Sequence, residues 1–398
     1  MVHHYIPFAN SASDWGLVRS QYSEAAGCRV SLQSLKKASQ HPRPDCKLWV
    51  DANVDGLHRS KVNDPDDDTN ATYKQYIRQF EYHDCISDAD FQRRPDRAKA
   101  TAFVDAILDA AYQAVPDAGW LSVPQLPYTD GSERNKINKL LAEIARQWKS
   151  SSPYRGKLIL PVIFTKQSQT VSKTARNPKV ELATACFEAS GADGIWVVDS
   201  ALNDQEGVGS FEHLRFPRLV AFHQELNSKL SAETVTVAGP YWGLNIILWA
   251  RGLVRLPAIG VGKSFQYHIA GGIQKKPVTR IALPPLRRLA QWSPALKKWL
   301  ESALRSLPKS DVAHSEFARV LRNFEGLQHD DVARGQVARF YKEWIEKLES
   351  VTPSSRALTL YQDFSAAYVL GMGLKPLPSP EKVRNPARIA KQFMVNCL

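Results

Sequence analysis

Cysteine is scarce in this chain: five in 398 residues, at positions 28, 46, 85, 186 and 397. The set is odd in number and widely spaced, and it holds no Cys-x-x-Cys pair. A structural zinc site of the usual spacing is therefore not expected. Reduced thiols in a cytoplasmic protein are the simplest reading. Long apolar runs are equally rare. The best membrane candidate is "VAGPYWGLNIILWARGL", residues 237–253. Its apolar part is shorter than the roughly 20 residues a spanning helix needs. Gly-Pro interrupts it, and Arg251 and Arg255 follow closely. No membrane association is expected. The first residues, "MVHHYIPFANSASDW", lack the basic and apolar regions of a signal peptide.

Chemical signatures are missing too. There is no G-x-S-x-G elbow, so a serine hydrolase of that type is not expected. "GADGIW" lacks the Rossmann glycine pattern. "GVGKS" places Lys263 after two glycines, but its spacing is not that of a P-loop. No H-E-x-x-H occurs among only ten His, and "NDPDDDTN" (63–70) lacks the Gly and Glu of a calcium-binding loop. Neither a metal nor a cofactor is expected.

What the chain does have is positive charge. Its formal net charge is +12. From Pro285 to the end there are 18 Lys and Arg against 11 Asp and Glu. Such a balance favours a polyanionic partner, either nucleic acid or a phosphorylated small molecule.

It also has eight β-rich runs bounded by turn residues: 3–9, 46–53, 119–126, 156–165, 194–201, 234–240, 256–262 and 278–284. Amphipathic helical patterns lie between them, at 96–115, 132–150, 177–192 and 217–230. Strand and helix in alternation predict a parallel sheet, and eight strands predict a (β/α)8 barrel over 1–285. An open doubly wound sheet is the alternative. A long insertion, about 54–95, follows the second run and would sit over the barrel mouth as a lid. Residues 286–398 read as a helical region with a basic surface and a Pro-punctuated tail, able to dock a partner protein.

In a barrel, chemistry sits at the C-terminal ends of the strands. That rule selects Asp51, Asp55 and His58 after the second run, and Gln125, with Tyr128 and Asp130, after the third. It selects Thr165 and Lys166 after the fourth, and Asp199 with Ser200 after the fifth. Tyr241, Trp242 and Asn245 follow the sixth, and Lys263, Gln266, Tyr267 and His268 the seventh. Arg134 and Lys136, at a helix start, are further substrate-binding candidates. Asp51 and Asp199 each follow an apolar run directly, where a carboxyl group is poised for general acid or base work. They are expected to face each other across the mouth. Lys166 or Lys263 would suit a lyase or isomerase working through a Schiff base.

Paired Asp residues on a barrel, with a basic surface, point to glycosidic cleavage or base exchange on a nucleoside, nucleotide or nucleic acid. In fold and paired Asp the chain resembles the barrel-type tRNA-guanine transglycosylases. It departs from them where their strand end reads Asp-Ser-Gly-Gly-Phe, here "VDANVDG", and it lacks their cysteine zinc cluster. A non-catalytic nucleic-acid-associated barrel is the alternative.

Overall fold

A computed structural model describes residues 4–11, 14–35, 42–58, 66, 70–83, 91, 94–128, 132–165, 177–202, 215–261, 267, 269, 278–324 and 330–397. Eight strands close into one barrel: β1 (Ile6–Ala9), β2 (Cys28–Ser31), β3 (Leu48–Asp51), β4 (Trp120–Ser122), β5 (Lys157–Phe164), β6 (Gly194–Asp199), β7 (Val235–Ala238) and β8 (Leu256–Gly260). Every neighbouring pair is parallel, and β8 closes on β1 with Ala258 opposite Ile6. The chain is thus a (β/α)8 TIM-like barrel and not an open sheet.

The strands form where the sequence is almost continuously apolar, because both their faces are covered. β5 is "KLILPVIF", buried from its second residue onward. Helices pack outside. α1 is Trp15–Gln21, α2 Leu32–Leu35, α3 Ala71–Ile77, α4 Arg97–Ala114, α5 Ser132–Ser151, α6 Pro178–Ser190, α7 Arg215–Asn227 and α8 Leu244–Ala250. In α4, Phe103, Val104, Ile107, Leu108 and Ala111 recur at helical spacing and are buried. Asp96 starts that helix by accepting hydrogen bonds from the Ala98 and Lys99 amides. In α6, Asn177 caps the start, Pro178 occupies the first turn, and Gly191 ends it in the left-handed region at φ +58°.

Two expectations need correction. Run 278–284 is not the eighth barrel strand. Its core, β9 (Arg280–Leu283), pairs antiparallel with β10 (Arg288–Gln291) in a separate hairpin. The region after 286 therefore contains a strand, and a boundary at 285 falls inside this hairpin. The missing barrel strand is β2, "CRVS", whose central arginine hides its strand character.

Among the described residues, five α-helices follow the hairpin: α9 (Pro294–Ser306), α10 (Val312–Phe324), α11 (Asp330–Glu349), α12 (Arg356–Met372) and α13 (Pro386–Met394). α11 lies against α1, where the helix after a barrel's eighth strand would sit. There Arg334 pairs with Asp14, and the Tyr22 hydroxyl donates to the Ala338 carbonyl at 2.8 Å. Val337, Tyr341, Trp344 and Leu348 belong to the same apolar core as the barrel. A second, smaller core joins the hairpin to α9 and α10 through Ile281, Leu286, Leu300 and Phe317. The tail is fastened by Glu381, which pairs with fully buried Arg288 at 3.1 Å and accepts from the Gln291 amide at 2.5 Å. Among the described residues, no helix is long and apolar enough to cross a membrane.

Candidate active site at the barrel mouth

The barrel interior is filled by aromatic rings. Phe8 of β1, Trp49 of β3 and Trp196 of β6 meet with centroids 5.2–5.3 Å apart. Three distant strands can bring rings together only through the interior, so these residues point inward. Side chains alternate along a strand. Arg29, beside Phe8 and Trp49 in register, and Asp51, two residues beyond Trp49, share that inward face.

Arg29 is the centre of the mouth and is fully buried. Its Nη2 donates to Asp51 Oδ2 at 2.5 Å and to Asn53 Oδ1 at 2.6 Å. Its Nε donates to Asp51 Oδ2 at 3.1 Å, and its Nη1 to Asn10 Oδ1 at 3.1 Å. Its guanidinium lies 5.4 Å from the Phe8 ring and 5.9 Å from the Tyr267 ring. Burial opposes its charge, but Asp51, Tyr267 and Asp55 outweigh burial, so its pKa ends above the ordinary value.

Asp55 and Tyr267 complete the cluster. Asp55 is buried in the short turn Val54–His58 after β3. The Tyr267 ring stands edge-on to Trp196 at 4.9 Å. Burial raises the Tyr267 pKa well above its usual value, and the charges of Asp55 and then Asp51 add to it. The insertion helix α3 packs onto this corner: Tyr76 donates to the Ala52 carbonyl at 2.8 Å and Tyr73 to that of Asn53 at 3.3 Å.

Asp199 does not join Asp51 across the mouth, and that expectation is corrected. It lies three residues past inward-facing Trp196, hence on the opposite face. Its register partner Phe164 confirms the side, since the Phe164 ring packs against Phe222 of α7 at 5.1 Å. Asp199 instead pairs two-pronged with Arg215 at the start of α7, with both contacts at 2.7 Å. Burial raises its pKa although Arg215 pulls the other way.

The remaining candidates divide similarly. Tyr241 is fully buried and structural: its hydroxyl donates to the Val197 carbonyl at 2.9 Å and accepts from the Asp199 amide at 3.0 Å. Asn245 accepts from the Tyr241 amide at 3.4 Å and donates to the Ala258 carbonyl. Trp242 has φ +56° and carries Arg280 over its ring at 5.2 Å. Gln125 is buried, and its amide donates to the Pro124 and Asn138 carbonyls, each at 2.9 Å. Tyr128 is buried edge-on against Phe164 at 6.0 Å, and Thr165 and Ser200 lie at the ends of β5 and β6. Lys136 is exposed on α5. Asp130, Lys166, Lys263, Gln266 and His268 lie outside the described residues, as do most of the acidic stretch 63–70 and the side chains of His58 and Arg134. Among the described residues, no group of three or more His, Cys, Asp or Glu is placed to hold a metal.

Sequence reasoning missed Arg29, Asn10, Asn53 and Arg215. Arg29 sat on the unrecognised strand. Asn53 carries a signal only in hindsight, φ +56°, in the left-handed region that Asn tolerates better than most residues.

The fold and this mouth define a (β/α)8 barrel with a buried Arg-carboxylate-phenol cluster drawn from β2, the end of β3 and the segments that follow β1, β3 and β8. No family model matches the chain, and no curated protein matches it.

Proposed function

We propose that the protein is an enzyme of the glycosyl-transfer type, acting at the barrel mouth on a nucleoside, nucleotide or nucleic-acid substrate. The observation that carries this reading is the gathering of Asp51, Asp55 and Tyr267 around Arg29 at the mouth. The carboxylate pair in this reading is Asp51 with Asp55. Asp51, paired with Arg29, is suited to stabilise or capture positive charge developing on a sugar ring. Asp55, beside the Tyr267 phenol, is suited to move a proton to or from the leaving group. The Tyr267 and Trp196 rings offer an apolar wall, and the net charge of +12 draws an anionic substrate.

The test is to incubate the protein with nucleosides, nucleoside monophosphates and a transfer RNA, and to follow free base by chromatography. Wild type is expected to release or exchange base. Asp55→Asn is expected to lower the rate by about 100-fold or more, with an unchanged melting curve. Absence of turnover on the whole panel, or full activity of Asp55→Asn, would overturn the reading.

Binding without turnover is the second reading. One observation favours it: Arg29 donates to Asp51, Asn53 and Asn10 within the protein, as a structural cation does. It predicts salt-sensitive binding of tRNA or single-stranded DNA with no product formed.

A further inference from the structure

The two strands that carry Arg29 and Asp51 also bring two cysteines together at their N-terminal ends. Cys28 is the first residue of β2, and Cys46 stands two residues before β3. The backbone forces them close. The Cys28 amide donates to the carbonyl of Lys47, the residue after Cys46, at 2.9 Å, and Cys28 lies opposite Leu48 in register. The side chains lie within interaction range of each other, while the Cys28 thiol itself donates to the Arg29 carbonyl at 3.7 Å.

Their surroundings differ in a useful way. Cys28 is fully buried, while Cys46 is partly open to solvent. The neighbouring Cys28 side chain lowers the pKa of Cys46, and burial raises that of Cys28. One sulfur is thus reachable and inclined to ionise, with a second thiol behind it. The other described cysteines have neither property. Burial pushes Cys186 up to about 11 and Cys397 up to about 12, and neither is exposed.

We infer that Cys28 and Cys46 form a redox-active dithiol that low-molecular-weight disulfides, such as oxidised glutathione, convert to an intramolecular disulfide. The Cys46 thiolate attacks one sulfur of the disulfide and expels one glutathione thiolate. Cys28 then loses its proton and displaces the second glutathione from Cys46. Two protein thiols are oxidised, and one glutathione disulfide is reduced to two glutathiones. The product joins β2 to β3 and closes the chain between them. It lies at the strands' N-terminal ends, one residue before Arg29, and acts on the scaffold that carries this arginine.

The test uses the full-length protein with Cys85→Ser, which removes the one cysteine outside this comparison. The folded protein is incubated with oxidised glutathione, alkylated, digested and mapped by mass spectrometry. The expected product is a peptide pair linked through Cys28 and Cys46, with the loss of two titratable thiols, reversal by dithiothreitol and a higher melting temperature before reduction. In Cys28→Ala, the reaction is expected to stop at a stable mixed disulfide on Cys46. Cys85→Ser protein that keeps glutathione on Cys46 while Cys28 remains alkylatable would overturn the inference. So would protein in which neither thiol reacts.

Discussion

Two buried ionisable sites, an ion pair and a lone histidine, behave differently at the level of single residues. Arg29 and Asp51 sit inside the barrel, where an unpartnered charge has no access to water. Arg29→Met is therefore expected to destabilise the protein by about 3–5 kcal/mol, mostly by stranding Asp51. The Arg29→Met, Asp51→Leu double variant should regain part of that loss, because the stranded charge is gone. Urea unfolding of the three proteins checks it, and a single variant within about 1 kcal/mol of wild type would contradict it. His223 is a different case. It is fully buried on α7, neither ring nitrogen has a hydrogen-bond partner among the described residues, and burial lowers its pKa to about 3. Its unfolded value is near 6.5. Between these pH values the unfolded chain binds a proton that the folded one refuses, so stability is lost as pH falls below about 6.5 and is constant above it. His223→Leu should flatten this part of the acid-denaturation curve while leaving the pH 8 melting point little changed. A variant with the same acid sensitivity as wild type would show that other groups govern it. None of this was legible in the sequence. Asp51 and Asp55 could be selected because an Asp after an apolar run is visible in one dimension. The face each side chain takes is not, and one step of strand parity sent Asp199 to the helix layer.

Among the elements, legibility followed burial. β5 and β6 announce themselves because both faces of a parallel strand are covered, which leaves long apolar runs. β2 does not, since its inward face spends a position on Arg29 and the strand is only four residues long. The corner after β7 shows the same limit. Position along the chain selects Tyr241, Trp242 and Asn245 there, and in the fold Tyr241 and Asn245 are bonded to the backbone. Gly239 has φ +90°, and a Cβ there would stand 2.9 Å from Asn245 Cγ. The Asn245 side chain is in turn tied to Tyr241 and Ala258. Gly239→Ala therefore combines left-handed strain with a side-chain clash, and is expected to cost about 2–4 kcal/mol. A melting temperature near that of wild type would show that the corner can relax.

At the scale of the whole molecule, the question is whether the barrel stands without the chain beyond it. The pattern of the sequence divides at about 285, where strands give way to helices. The packing divides elsewhere. α11 sits against α1 beside the strand β1 that closes the barrel, and Val337, Phe340, Tyr341, Trp344, Ile345 and Leu348 share the barrel's apolar core. Burying one such large side chain contributes about 1.5–3 kcal/mol. The group together is comparable with the entire net stability of a domain, about 5–15 kcal/mol. Ending the chain at 285 would also split the β9–β10 hairpin and leave Asp14 without Arg334. Residues 1–285 expressed alone should consequently show no cooperative thermal transition, whereas the full chain should. Circular dichroism melts of both distinguish the outcomes: a sharp transition in the short form would mean that the eight strands and their own helices suffice. If the short form fails, the C-terminal helices are the barrel's missing wall, and a partner protein docking on them would act directly on the scaffold that holds Arg29 and Asp51 in place.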